Sequence, residues 1–338
     1  MAVASRPVTL QDVANRAGVS VATASKALND RSDVSSATRA RVMQVAASLG
    51  FAPNELARSL LAGRSSTVGV LTSDLAGRFA LPILMAAEDA CGTGEISVFL
   101  CDARDDADRE QHLLQALLSR RVDGIIVVGS RTDARPSLGR HLPVPIVYAY
   151  APSDNPDDLS LVTDNVGGGA LAIRHLVERG CRRIAHVTGD PGYGAATDRV
   201  MGVRQAMAEA GLELVGDVMF HEWSGRWGRE ATAALLREHP DIDGIFAGSD
   251  QVARGVIDAV RASGRAVPGD VAVIGFDNWE ILATDAEPAL TTVDLNLDIL
   301  GRQAARHLLG SRVGTAADQP PTSGVHYLPP RLVVRDST

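Results

Sequence analysis

Lysine is almost missing from this 338-residue chain: Lys26 is the only one, and every other basic side chain is arginine. That excludes a phosphate-loop lysine, a Schiff-base lysine and a kinase-type lysine anywhere beyond the first thirty residues. Cysteine is nearly as scarce. Cys91, Cys101 and Cys181 are an odd set without paired spacing, which argues against a disulfide framework and for a reducing compartment. No apolar run approaches the roughly 18 residues of a membrane span. No apolar leader opens the chain, so it is expected in the cytoplasm, at the nucleoid, with no membrane partner. Aromatics are only 4% of the residues. The eight histidines form no H-E-x-x-H or Cys-paired pattern, so no metal and no cofactor are expected. No G-x-S-x-G elbow is present, and no enzyme activity is expected.

What is present is uneven in charge. Residues 1–64 hold seven Arg and one Lys against three Asp and one Glu, a net of +4, while the rest carries −12. A small cationic domain on a large anionic one suits binding a polyanion at one end.

The cationic end contains three apolar stripes at helical spacing. Leu10, Val13, Ala14 and Ala17 make the first, Ala24 and Leu28 the second, and Val42, Val45, Ala46 and Leu49 the third. Gly18 is placed for a tight turn, Ser20 and Ser35 for N-caps, and Gly50 for a C-terminal stop. The spacing predicts a second helix over about 21–29, with Val21, Ala22, Ser25 and Lys26 on one outer face. Such a face, small and tipped with a cation, suits a DNA major groove. Spacing alone leaves an ordinary three-helix bundle equally open; the charge distribution favours the helix-turn-helix.

From residue 67 the pattern becomes alternating. Near-continuous apolar strands are predicted at Val68–Leu71, Ile96–Leu100, Gly124–Val128, Pro145–Tyr150, Leu159–Thr163, Ile184–Val187, Ile245–Ala247 and Val271–Gly275, with helices between them. That is the mark of a doubly wound parallel sheet. RRVDGIIVVGS at 120–130 and PDIDGIFAGSD at 240–250 echo each other, which points to two similar lobes. Val325–Val334 reads as one last strand. Polar residues cluster at strand ends: Thr72, Ser73, Asp74, Asp164, Asn165, Asp190, Ser249, Asp250, Asp277 and Asn278. Ligands bind at such rims, although each residue alone also serves as a helix cap. Gly167-Gly168-Gly169-Ala170-Leu171-Ala172 matches G-x-G-x-x-A, with Asp190 23 residues on. This keeps open an α/β dehydrogenase-like enzyme with an accessory DNA-binding domain. A solute-binding protein is disfavoured by the absent leader and by the N-terminal helices.

AGVSVATASKALN, VSSATRARV and PNELARSLLAGR, in this order, resemble the lactose-repressor/galactose-repressor (LacI/GalR) family of bacterial transcription regulators. Ala24 stands where that family usually has valine, and Lys26 where it has arginine. The resemblance implies a helix-turn-helix domain at 1–52, a hinge helix or linker at 53–65, and a periplasmic-binding-protein-like core at 66–338. Lobe 1 would take about 66–163 and 294–323, and lobe 2 about 164–293 and 324–338. It implies a repressor whose operator affinity is set by a small molecule, a sugar, between the lobes. For DNA it implies contacts from Thr9, Leu10, Ser20, Val21, Ala22, Thr23, Ser25, Lys26 and Asn29, with Ala57, Arg58 and Leu60 in the hinge. The DNA would be a double-stranded pseudo-palindrome with a central CG step. For the effector it implies Ser73, Asp74, Phe79, Arg199, Trp223, Ser249, Asp250 and Asp277. No leucine heptad follows the last predicted strand, so a homodimer is expected rather than a tetramer.

Overall fold

A computed structural model describes residues 8–29, 33–51, 65–73, 75, 77–91, 96–309 and 321–338. The chain divides into two compact units, Met1–Ser65 and Ser66–Thr338.

In the first unit three helices form where the stripes predict. Helix α1 (Leu10–Ala17) opens on a reciprocal cap: Thr9 Oγ1 accepts from the Asp12 amide, while Asp12 Oδ2 accepts from the Thr9 amide at 2.8 Å. Gly18, at φ +67°, turns the chain into α2 (Val21–Leu28), whose first turn is capped by the Ser20 hydroxyl. Ser35 caps α3 (Ser36–Leu49), and Gly50 ends it in a left-handed conformation. Val13, Ala14, Ala17, Ala24, Ala27, Val42 and Ala46 are buried together. The inward face of α2 is therefore made by Ala24 and Ala27, with Leu28 only partly covered. Two alanines at that contact let the short helix sit close to its neighbours.

In the second unit two six-stranded sheets repeat one topology. The strands of lobe 1 are β1 (Thr67–Thr72), β2 (Ser97–Asp102), β3 (Gly124–Val128), β4 (Ile146–Ala149), β5 (Leu159–Thr163) and β11 (Gly324–Leu328), in the order β11-β5-β4-β3-β1-β2. Those of lobe 2 are β6 (Ile184–Thr188), β7 (Met219–Phe220), β8 (Gly244–Ala247), β9 (Ala272–Phe276), β10 (Thr291–Asp294) and β12 (Arg331–Val333), in the order β12-β10-β9-β8-β6-β7. All neighbours run parallel except β10 and β12. The two sequence echoes become β3 and β8, which hold equivalent places, fully buried on both faces. The helices are α4 (Ala80–Cys91), α5 (Ala107–Ser119) and α11 (Leu297–Leu309) on lobe 1, and α6 (Asn165–Glu178), α7 (Gly194–Glu209), α8 (Gly225–Glu238), α9 (Asp250–Ala262) and the short α10 (Glu280–Ala283) on lobe 2.

Among the described residues the chain passes between the lobes three times: after β5, after β10, and between β11 and β12. The last passage corrects an expectation. Val325–Val334 is not one strand, and 324–338 does not lie wholly in lobe 2. Gly324–Leu328 pairs in parallel with Leu159–Thr163 of lobe 1, whereas Arg331–Val333 pairs antiparallel with β10. Pro329-Pro330 separates them, since two residues without an amide hydrogen cannot continue a ladder.

Candidate functional site

The outer face of α2 is as small as the sequence predicts. Val21, Ala22 and Lys26 are exposed, and Thr23 and Ser25 are half-buried. Lys26 Nζ donates to Asp33 Oδ2 at 2.5 Å, an exposed pair that a phosphate or base edge would have to displace. Several residues expected on DNA have a local task as well. The hydroxyls of Ser20 and Thr23 lie 2.8 Å apart over the helix start, and Asn29 Nδ2 donates to the Ser25 carbonyl at 2.8 Å. Thr9 is held in the cap of α1, with Leu10 half-buried beside it. Ala57, Arg58 and Leu60 lie outside the described residues, as does Asp74 of the effector set.

Between the lobes of the core lies a cavity of about 300 Å³. Lobe 1 contributes Gly77, Arg78, Phe79, Ser130 and Tyr150; lobe 2 contributes Tyr193, Ala195, Arg199, Trp223, Gln251, Asp277 and Trp279. Four residues of the expected effector set, Phe79, Arg199, Trp223 and Asp277, thus line this one cavity.

Arg199 lies inside α7 and is pinned there. Gly169 on α6 and Gly202 on α7 let the two helices touch: a Cβ at Gly169 would stand 2.2 Å from the Arg199 carbonyl oxygen, and one at Gly202 1.9 Å from that of Val166. This contact seats Arg199 at 2% exposure. Its Nε donates to Asn165 Oδ1 at 3.0 Å, its Nη1 to the Gly248 carbonyl and its Nη2 to Asp277 Oδ1 at 3.4 Å. The guanidinium also lies 3.7 Å from the centre of the Phe276 ring. Burial pulls its pKa below the usual arginine value, against the opposing pull of Asp277, and the group stays charged.

Asp277 follows β9 in a left-handed turn, φ +101°, continued by Asn278 at +49°. A non-glycine residue there is strained, and the strain turns its carboxylate back over the strand end. One oxygen faces Arg199; the other pairs with Arg78, which reaches across from lobe 1. The Arg78 guanidinium lies 4.6 Å from the Phe79 ring centre and 4.8 Å from that of Trp279. Phe79 in turn stacks on Tyr150, centroids 4.7 Å apart. Burial, then Asp277, raises the Tyr150 phenol well above its usual pKa, so it remains a neutral donor. Trp223 packs over Gly189, where a Cβ would strike its ring at 2.0 Å, and meets Tyr193 edge-on.

Ser249 and Asp250 are not on the wall. Ser249 caps α9, accepting from the Val252 amide at 3.3 Å. Asp250 is buried behind the cleft: Oδ2 accepts from the Trp279 amide and Oδ1 from the Thr292 hydroxyl, both at 2.6 Å. It is a brace that fixes the turn carrying Asp277 and Trp279. Burial, reinforced by Asp277, pushes its carboxyl up to about 7. Ser73 accepts from the Ser130 amide at 3.1 Å and borders a different crevice of about 460 Å³, wholly within lobe 1. That crevice is the larger, but its Arg135 and Glu110 are already paired at 2.6 Å, so the cleft between the lobes is the better candidate. Arg78, Tyr150, Tyr193, Gln251 and Trp279 went unnoticed in the sequence. Arg78 adjoins Phe79 and Trp279 follows Asp277-Asn278, so proximity to strand ends was the available signal.

The glycine run at 167–169 is explained without a nucleotide. Asp164 caps α6 and accepts from the Gly167 amide at 2.7 Å, taking a donor that a pyrophosphate would need. Gly168 makes room for the Phe276 ring, and Gly169 for α7.

Residues 9–54 match the signature of bacterial regulatory proteins of the lacI family, and 173–338 that of a periplasmic binding protein-like domain. The ribose operon repressor of Halalkalibacterium halodurans is 34% identical over 331 residues, covering 98% of this chain and 97% of that one. The HTH-type transcriptional repressor PurR of Glaesserella parasuis is 33% identical, covering 97% and 98%. The solved lac repressor dimer bound to operator and the anti-inducer ONPF superposes with a TM-score of 0.75 at 28% identity, covering 98% of this chain and 99% of that one. The dehydrogenase-like alternative finds no support in these relatives. Sharing a third of its residues with such repressors over almost its whole length, the chain belongs to the lacI family of bacterial regulatory proteins.

Proposed function

We propose that the protein is a homodimeric repressor, without enzymatic activity, whose operator affinity is set by a sugar-class effector in the cleft. The observation that carries this reading is the buried Arg199–Asp277 pair between aromatic plates from both lobes. A carboxylate accepts from sugar hydroxyls and a guanidinium donates to them, so neighbouring hydroxyls are held from two sides. Phe79 and Trp223 offer apolar surface to a ring face. Movement of one lobe on the other, governed by the three chain passages, is the step that would alter DNA affinity.

On DNA, Val21, Ala22, Ser25 and Lys26 read the major groove of a pseudo-palindrome with a central CG step, and Leu60 enters the minor groove at that step. Thr9, Ser20, Thr23, Asn29, Ala57 and Arg58 position the domain on the backbone. Leu81 and Met85 of α4 and Phe99 and Leu100 of the edge strand β2 are exposed apolar residues on lobe 1, which suits the symmetric face of a dimer.

The test pairs DNA selection with an effector assay. Selection from random duplexes should enrich a palindrome with CG at its centre; no palindrome would refute the DNA reading. Phe79→Ala and Trp223→Ala should still bind that operator yet lose the response to a ligand that releases or recruits the parent protein. A normal response in both would move the effector site elsewhere. Arg199→Ala is a poorer probe, because removing one member of a buried, multiply bonded pair costs about 3–5 kcal/mol in folding.

A further inference from the structure

Among the described residues, the charged side chains on the cavity wall are Arg78, Arg199 and Asp277. Asp277 is shared: Oδ1 serves Arg199 and Oδ2 serves Arg78. Two cations thus divide one carboxylate, and among the described residues the wall carries a positive charge in excess. Asp250 does not line the cavity, and burial with Asp277 pushes its carboxyl up to about 7, so its charge is not fully present at neutral pH. The two arginines are not equivalent. Arg199 is bonded at all three guanidinium nitrogens. Arg78 bonds through Nη2 alone, and its Nη1 is buried with no hydrogen-bond partner among the described residues. The Phe79 and Trp279 rings hold its guanidinium between them, with the fork aimed at Asp277.

A neutral sugar that takes Asp277 Oδ2 must part it from Arg78, leaving a partly desolvated cation without a counter-ion. A ligand bearing its own anion avoids this. Its carboxylate or phosphate takes the Arg78 fork in two parallel bonds, satisfies Nη1, and frees Asp277 Oδ2 to accept a hydroxyl, while Arg199 stays in place. The cavity, about 300 Å³, is at the small end for a ligand pocket. We propose that the effector is a monosaccharide-sized polyol carrying one anionic group, a carboxylate or a phosphate, bound through Arg78. This rests on the cleft being the effector site of the regulator.

The test uses the full chain and ring-matched ligands that differ at the terminal carbon, which carries a hydroxyl, a carboxylate or a phosphate: glucose, glucuronate and glucose 6-phosphate; galactose and galacturonate; ribose and ribose 5-phosphate. Binding is read from tryptophan fluorescence, since Trp223 and Trp279 line the cavity. At least one anionic member should bind about tenfold or more tightly than its neutral parent, the size of one good charge-assisted pair. Whether the carboxylate or the phosphate member wins identifies the source of the anion. Arg78→Gln should bring the pair within about twofold, and Arg78→Lys, which keeps the charge but not the fork, should retain part of the preference. A neutral parent that binds as well, a preference that survives Arg78→Gln, or binding by none of the ligands overturns the proposal. Operator titrations with the same ligands separate the two readings. A ligand that binds with the expected preference but leaves operator affinity unchanged would sink the regulator reading and spare the anion preference.

Discussion

Asp250→Asn should make the protein more stable at neutral pH and less stable in acid. Its carboxyl is pushed from 3.8 up to about 7 by burial and by Asp277. An acid whose folded pKa is raised keeps its proton in the fold over a range in which the unfolded chain has already released it. Stability therefore falls as pH rises from about 4 to about 7, then levels off. At about 1.4 kcal/mol per pH unit, the buried charge costs about 4 kcal/mol at pH 8. Asparagine keeps the shape and removes the charge. Its oxygen can still accept from the Trp279 amide, but its NH₂ must face the Thr292 hydroxyl, which reverses one bond at a cost of about 1 kcal/mol. The variant should thus gain about 3 kcal/mol at pH 8 and lose about 1 kcal/mol below about pH 3, crossing the parent near pH 4.5. Urea unfolding followed by tryptophan fluorescence suits the measurement, because Trp223, Trp227 and Trp279 all sit in lobe 2 with Asp250. Subtracting the two proteins at each pH cancels the titrating groups that do not interact with Asp250. A difference that stays flat between pH 4 and 8 would refute the reasoning.

Three other outcomes are expected. Gly202→Ala should destabilise by about 1–3 kcal/mol or more, because its methyl would meet the Val166 carbonyl at 1.9 Å and pry α6 from α7; an unchanged melting temperature would contradict that contact. His186 is buried, donates through Nδ1 to the Phe246 carbonyl at 2.9 Å and has its pKa lowered to about 4 by burial, so it folds neutral. Its stabilising contribution is complete above about pH 6.5 and is lost as pH falls toward 4, by about 3 kcal/mol in all, and replacing it with phenylalanine should flatten that part of the acid profile. Lys26→Ala should weaken operator binding by about 1–3 kcal/mol if the ammonium reads a base, whereas a uniform loss across operator sequences with a shallower salt slope would mean a phosphate contact.

Much of this was legible because periodicity and capping are local. The stripes in 10–49 and the caps at Ser20 and Ser35 needed only sequence spacing, and the repeat at 120–130 and 240–250 foretold β3 and β8 in equivalent places. Side-chain direction at the strand ends was not local. Asp277 and Asp250 both follow apolar strands, yet a left-handed turn aims the first into the cleft, while the second begins a helix and points back at Trp279 and Thr292. Arg78 was invisible for a different reason: its partner is 199 residues away on the other lobe. The run at 325–334 misled because its apolar residues continue across Pro329-Pro330, and only the pairing reveals the change of sheet.

That change of sheet has a consequence for how the chain is made. The outermost strand of lobe 1, β11, is the last but one to leave the ribosome, and helix α11, which covers β3, β4 and β5, comes only shortly before it. Lobe 1 begins at Thr67 but is not closed until Leu328, after every strand of lobe 2 except β12 has been synthesised. Until then β5 has a bare edge, with its amides and carbonyls open to any other strand. Lobe 2 lacks only the three-residue β12 and the short buried tail after it at that point. The second lobe to be translated is thus the first that can approach its final packing, and the nascent first lobe is where chaperone capture or misassembly would concentrate.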